Sequence, residues 1–78
     1  MMVSVLSYIP WLQQVNGEYQ VDEGTTVYDL LHLVQEQHEL DLQWDRDALV
    51  GINNRIAKAT DILQASDQVV IMMPLNGG

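Results

Sequence analysis

Apolar residues recur along this chain with two different periods. Val3, Val5 and Leu6, then Tyr8 and Ile9, form a β-prone run that stops at Pro10, which has no N–H to offer a strand ladder. The stretch "IPWLQQ" breaks the pattern and reads as a connecting turn. "NG" at Asn16–Gly17 is a strong hairpin-turn dipeptide. Beyond it "EYQVDEG" alternates, Tyr19 and Val21 on one side and Glu18, Gln20 and Asp22 on the other, which predicts a half-exposed strand ending at Gly24.

The period then changes. Val27, Leu30, Leu31 and Val34 stand at i, i+3, i+4 and i+7, the stripe of an amphipathic helix. Thr26 is placed to cap that helix, with the charge of Asp29 in its first turn. The pattern fades near His38. "ELDLQWDRD" is polar with two isolated anchors, Leu42 and Trp44, and predicts a longer connection. "ALVGIN" reads as a short strand and "NNR" as a turn, because Asn tolerates the left-handed conformation. Ile56 and Ala57 make a short return strand. Leu63 is an apolar plug in a polar loop, and Ser66–Asp67 is the turn before the most continuous apolar run, Val69 to Met73. A strand with little polar alternation belongs in the middle of a sheet. Both of its faces are apolar, so the pattern leaves open which side, Val69 and Ile71 or Val70 and Met72, meets the core. The order strand, strand, helix, two short strands, strand predicts one α+β domain over residues 1–78, with a flexible tail at 74–78.

Size and charge narrow what such a domain can do. A chain of 78 residues buries only about 60% of its unfolded surface. Without any cysteine it has neither disulfide staples nor a thiol for catalysis or metal binding. Its 47% hydrophobic content must therefore supply the stability. No apolar run is long enough to span a bilayer and no basic flank marks a signal peptide, so the expected compartment is the cytoplasm. Arg46, Arg55 and Lys58 face eleven acidic residues, a net charge of −8. That balance argues against nucleic acid and anionic membranes and favours a basic partner surface.

The sequence carries no active site of the usual kinds. His32 and His38 are six apart on the predicted helix and fall on different faces, so they make no i, i+4 metal pair. Asp41, Asp45 and Asp47 lack the glycine and terminal Glu of a calcium loop. The glycines at 17, 24 and 51 are isolated and cradle no phosphate. No metal site is expected. What remains is the end of the chain, "VVIMMPLNGG". Pro74 ends ladder pairing, and Pro74 to Gly78 can reach on the order of 16–18 Å past the sheet. Gly77 and Gly78 have no Cβ and fit a channel too narrow for side chains. A C-terminal carboxylate is a poor electrophile, but an acyl-adenylate carries a good leaving group. Sulfide displacing AMP leaves a thiocarboxylate, a persulfide does so once a thiol cleaves the resulting acyl disulfide, and an amine gives an amide. A partner enzyme must enclose the reacting carbon and exclude water. A bare Gly-Gly end also describes a frayed terminus. Here, however, it follows a central strand through a proline, with no spacer.

With these features the chain resembles the small β-grasp sulfur carriers, namely the small subunit of molybdopterin synthase and the sulfur carrier of thiamine thiazole synthesis. "VSVLSYIPWLQQVNGE" resembles their first strand and loop, and "DEGTTVYDLLHLV" their turn and Leu-rich helix. "VGINNRIAKATDILQASDQVVIMMPLNGG" is similar to their closing stretch and is the specific part. Two departures stand out. Ser66 occupies a position where the family usually has glycine. The segment "QEQHELDLQWDRDA" makes the chain longer than typical thiazole carriers and closer to molybdopterin synthase small subunits.

The resemblance implies a ubiquitin-like β-grasp, a mixed sheet wrapped over one helix with the first and last strands central and parallel. It implies a carrier rather than an enzyme. Gly78 would be adenylated by a ubiquitin-activating-like enzyme using ATP and converted to a thiocarboxylate; no cofactor would be bound by the chain itself. Gly77, Asn76, Leu75 and Pro74 would form the tail inserted into the partner. The acceptor would be the large subunit of molybdopterin synthase, acting on cyclic pyranopterin monophosphate, or else thiazole synthase. A ubiquitin-like modifier joined to proteins through Gly78 is a further expectation. Such a carrier needs an apolar docking patch beside its tail. The candidates are Val70, Met72, Ile52 and Ile56, with Leu12 or Trp11 at the rim; methionine suits a surface that fits more than one partner.

Overall fold

The computed structural model describes residues 1–41 and 48–73. Strands β1 (Met2–Ser7), β2 (Gly17–Gln20), β3 (Leu49–Ile52), β4 (Arg55–Ile56) and β5 (Gln68–Met72) form one mixed sheet, ordered β2-β1-β5-β3-β4. Helix α1 (Val27–Gln37) packs across one face. β1 and β5 are parallel, with Val5 opposite Val69 and Leu6 opposite Val70; the other pairs are antiparallel. A parallel pair needs a long crossover, and everything between β1 and β5 supplies it. This is the ubiquitin-like β-grasp expected from the sequence, with the first and last strands central.

The helix forms where the period changed. The Thr26 side chain accepts from the Asp29 N–H at 3.2 Å and the Asp29 carboxylate accepts from the Thr26 N–H at 3.3 Å. This reciprocal box satisfies two backbone donors that the first helical turn leaves free. Val27, Leu30, Leu31 and Val34 are buried, and His38 is the C-cap. They meet Val3 and Val5 of β1, Tyr19 of β2, Val50 and Ile52 of β3, and Val69 and Ile71 of β5 in one core.

The first connection differs from the expected hairpin. Gly17 does not sit in a tight turn but pairs with Val5 as the first residue of β2. Residues Pro10–Val15 between the strands form a kinked 3₁₀ helix. It exists to bury side chains: Ile9, Leu12 and Val15 are fully enclosed. Asn16 contributes through its side chain, whose Oδ1 accepts the Ser7 N–H at 2.6 Å, while Gln13 Nε2 donates to the Ser7 carbonyl at 2.9 Å. β2 also ends at Gln20 rather than Gly24, although Val21 is buried as expected.

The second half follows the sequence closely. Asn53 and Asn54 have φ of 49° and 73° and turn β3 into β4 in two residues. β4 is Arg55–Ile56, one residue earlier than expected. Leu63 is buried beneath its loop. Ser66 has φ of 68°, the left-handed conformation that glycine adopts without cost. That accounts for the glycine usual at this position. The anchors Leu42 and Trp44, the acidic Asp45 and Asp47, and the tail Pro74 to Gly78 lie outside the described residues. No helix among the described residues is long and apolar enough to cross a membrane.

Candidate functional site

The strand that leads into the Gly-Gly tail has two unlike faces. Val69 and Ile71 are fully buried against the helix side, whereas Val70 and Met72 are half-buried on the outer face of the sheet. Met73, the last described residue, is exposed. β5 is thus held from inside by two core side chains and flanked by β1 and β3. Each buried branched side chain contributes about 1.5–3 kcal/mol, so the root of the tail is anchored firmly.

The outer face carries an apolar stripe that the ladder register assembles. Leu6 of β1 lies opposite Val70, which lies opposite Gly51 of β3, which lies opposite Ile56 of β4. Leu49 lies opposite Met72 in the next row. Tyr8 extends the β1 row by donating its N–H to the Ile71 carbonyl at 2.8 Å. Polar Glu18 and Gln20 of β2 border the stripe on one side. Within it, Tyr8, Gly51, Asn54, Arg55, Ile56, Val70 and Met72 line a shallow depression of about 310 Å³. Gly51 is a position in it that its neighbours approach closely. A Cβ there would stand 3.1 Å from the Arg55 carbonyl oxygen and 3.4 Å from the Met72 methyl carbon.

Three of the five docking candidates, Val70, Met72 and Ile56, therefore meet on this surface, and Ile56 is 61% exposed. Two do not. Ile52 is 2% exposed because its side chain alternates to the inner face of β3, and Leu12 is wholly enclosed under the 3₁₀ helix. Both belong to the core and offer no docking surface. Trp11 is exposed but is not among the residues lining the depression. Tyr8, Leu6, Leu49 and Gly51 were missed by sequence reasoning. A lone glycine inside the apolar strand "LVGI" was the available signal, since it marks a close approach or a bulge.

The remaining candidate chemistry resolves into structure. His38 Nε2 lies 3.0 Å from the Tyr19 hydroxyl, which donates to the Val15 carbonyl at 2.7 Å. With its hydrogen so committed, the Tyr19 oxygen is left to serve as acceptor towards the His38 ring. Burial pushes the Tyr19 phenol above its ordinary value. His32 packs against Tyr28 across one helical turn, their ring centres 4.3 Å apart and their planes tilted by 52°. Arg55 pairs with Asp61 at 3.4 Å, and Asp61 also accepts the Lys58 N–H at 2.9 Å. That backbone bond, with Arg55 beside it, holds the Asp61 carboxyl below the usual range. Among the described residues no three His, Asp or Glu side chains come together to hold a metal ion.

The comparisons with known proteins agree with this architecture. A protein assigned as subunit 1 of the molybdopterin converting factor of Pyrococcus furiosus superposes with a TM-score of 0.80 at 22% identity, covering 96% of this chain and 99% of that one. The small archaeal modifier protein 1 of Haloferax volcanii superposes with a TM-score of 0.76 at 17% identity, over 95% and 98% of the two chains. The complex of subunits 1 and 2 of the molybdopterin-converting factor from Helicobacter pylori contains a chain matching at TM-score 0.66 and 20% identity, with all of both chains covered. At these identities the likeness speaks to the fold. In sequence, the protein RnfH of Pectobacterium carotovorum is 35% identical over 96% of this chain and 77% of its own length. The sequence profile of the ThiS family matches residues 6–78, and the chain belongs to the ThiS family.

Proposed function

We propose that this chain is a sulfur carrier for molybdopterin synthesis. In this reading the Gly78 carboxylate attacks the α-phosphorus of ATP on a ubiquitin-activating-like enzyme, releasing pyrophosphate and forming an acyl-adenylate. Sulfide then attacks the carbonyl carbon, AMP departs with the bonding pair, and a thiocarboxylate remains. Gly77 and Gly78 thread the partner's channel while Pro74, Leu75 and Asn76 span the distance from the sheet. The carrier next docks on a large synthase subunit and delivers the sulfur there.

One observation carries the reading. The central strand β5 is locked inside by Val69 and Ile71, presents Val70 and Met72 outside, and runs directly towards a Gly-Gly end. An anchored strand, an adjacent apolar patch and a slender reactive terminus are what a protein handed between two enzymes needs. The likeness to a subunit 1 found in complex with a subunit 2 supports a partner of that kind.

The likeness to a small archaeal modifier protein supports a second reading, in which the same activated Gly78 is joined to lysine amines of other proteins. Intact mass separates the two. A carrier isolated from its cell is heavier by the difference between one sulfur and one oxygen atom, and iodoacetamide alkylates it although it has no cysteine. A modifier appears in conjugates that survive reduction. If deleting Gly78 leaves both the mass species and every partner activity unchanged, neither reading stands. Thiamine thiazole synthesis takes the place of the molybdopterin pathway if thiazole synthase, rather than a large synthase subunit, co-purifies with the carrier.

A further inference from the structure

The depression on the outer sheet face has more detail than a flat apolar patch requires. Its size, about 310 Å³, is at the small end for ligand sites, which run from about 300 to 1,000 Å³, and leaves room for a partner's side chain rather than a large cofactor. Its floor and walls are unlike. Val70, Met72 and Ile56 are apolar, and Gly51 stands where any side chain would press on the Arg55 carbonyl and the Met72 methyl. Arg55 stands among the lining residues as a cation in a chain of net charge −8. Its side chain is 64% exposed and its contact with Asp61, at 3.4 Å, is long. Asp61 is better held by the Lys58 N–H at 2.9 Å. The guanidinium, with five donors in a planar fork, is therefore free to exchange Asp61 for another carboxylate while Asp61 keeps its stronger bond.

We propose that this depression is a socket for one aliphatic side chain of a partner protein, bordered on that partner by a carboxylate that pairs with Arg55. The inference rests on the carrier reading above, in which a partner docks beside the tail. It adds a local rule that runs against the global charge. An acidic protein attracts a basic surface over long range, yet at this corner the partner presents an acid. The apolar side chain provides the buried anchor, and the Arg55 pair fixes register and excludes partners that place a basic residue there.

The opposed signs make the test decisive. Binding of the full-length protein to the adenylating enzyme of its own organism is measured by calorimetry at low and moderate salt. Arg55→Glu makes the chain more acidic, so a merely basic partner surface binds it more tightly, whereas pairing with a local carboxylate weakens it at least tenfold. Arg55→Lys retains part of the affinity. Gly51→Val closes the socket and lowers affinity at least tenfold. Because its Cβ presses on the Arg55 carbonyl, the exposed Ile56→Glu serves as a second block that leaves the core untouched. Equal or tighter binding by Arg55→Glu, or unchanged binding by both Gly51→Val and Ile56→Glu, overturns the socket while the carrier reading stands. If the unaltered protein does not bind the enzyme, the carrier reading itself fails and the socket with it.

Discussion

Asn53 and Asp67, fourteen residues apart, are joined by a 2.9 Å hydrogen bond from Asn53 Nδ2 to Asp67 Oδ1. The bond ties the β3–β4 turn to the turn that launches β5. Asp67 is 7% exposed, and its other oxygen accepts the Gln64 N–H at 2.7 Å. Asn53 Oδ1 in turn accepts the Gln68 N–H at 3.2 Å. A buried carboxylate with both oxygens occupied stabilises two turns at once. Asp67→Ala takes the carboxylate acceptor from the Gln64 N–H and from Asn53 Nδ2, at a cost of about 1–3 kcal/mol. Asn53→Gly keeps the positive φ and removes only the side-chain bonds, at about 1 kcal/mol. Urea unfolding midpoints measure both, and an Asp67→Ala midpoint equal to that of the unaltered protein rules the linkage out.

Ser66 offers the opposite effect. Its φ of 68° and exposed side chain mean that a Cβ is carried in the left-handed region with no packing in return. A non-glycine residue there costs about 1–2 kcal/mol, offset in part by the extra freedom glycine brings to the unfolded chain. Ser66→Gly is expected to gain about 0.5–1 kcal/mol, and the β-branched Ser66→Val to lose more than about 1 kcal/mol. A thermal melt reads both; a Ser66→Gly protein that melts lower contradicts the argument.

What could be read in the sequence was what depends on neighbours in the chain. Thr26 and Asp29 are three residues apart, and their box follows from local spacing. The two-residue turn at Asn53–Asn54 is local as well. Asn16–Gly17 misled for the same reason: the dipeptide favours a tight turn, but three core side chains at Ile9, Leu12 and Val15 draw the preceding segment into a 3₁₀ helix instead. Pairing of Gly17 with Val5 is a long-range outcome that no dipeptide contains. The faces of β5 were hidden because Val69 to Met73 is apolar at every position, so period two leaves no contrast to read. Leu12 and Ile52 were placed on the docking patch for want of that tertiary information. Gly51 became meaningful only once Arg55 and Met72 were seen to close around it.

Tyr19 gives the fold a pH dependence at the alkaline end. Of the three tyrosines, Tyr8 and Tyr28 are exposed while Tyr19 is buried with a raised phenol. An unfolded phenol titrates near about 10. Because the folded value is higher, the stabilisation from protonated Tyr19 is complete below that pH and disappears as pH rises through the folded value. Ultraviolet titration should show a Tyr19 step displaced above the ordinary phenol value, accompanied by loss of structure. Tyr19→Phe removes that step and, by leaving the Val15 carbonyl unpaired, costs about 1–2 kcal/mol at neutral pH. A Tyr19 step at the ordinary phenol value would contradict it.

Val70 and Ile71 are adjacent in sequence and opposite in consequence, which separates folding from docking within one strand. Ile71 is fully buried beneath the helix, so Ile71→Ala opens a cavity and costs about 2–5 kcal/mol. In a domain whose whole stability is about 5–15 kcal/mol, such a variant shows a much lower melting temperature and loses partner activity only because it unfolds. Val70 faces outward beside Met72 in the half-buried stripe. Charged residues there remain in contact with water, so Val70→Glu and Met72→Glu should each stay folded, with a destabilisation of no more than about 1 kcal/mol. They nevertheless place a carboxylate in the surface from which a partner must exclude water. Loss of a central interface contact is worth about 1–2 kcal/mol or more, so adenylation measured by pyrophosphate release at limiting carrier should fall roughly tenfold, with little change at saturation. If Val70→Glu and Met72→Glu keep full efficiency while remaining folded, the outer face of β5 is not where partners dock, and the tail alone must account for recognition.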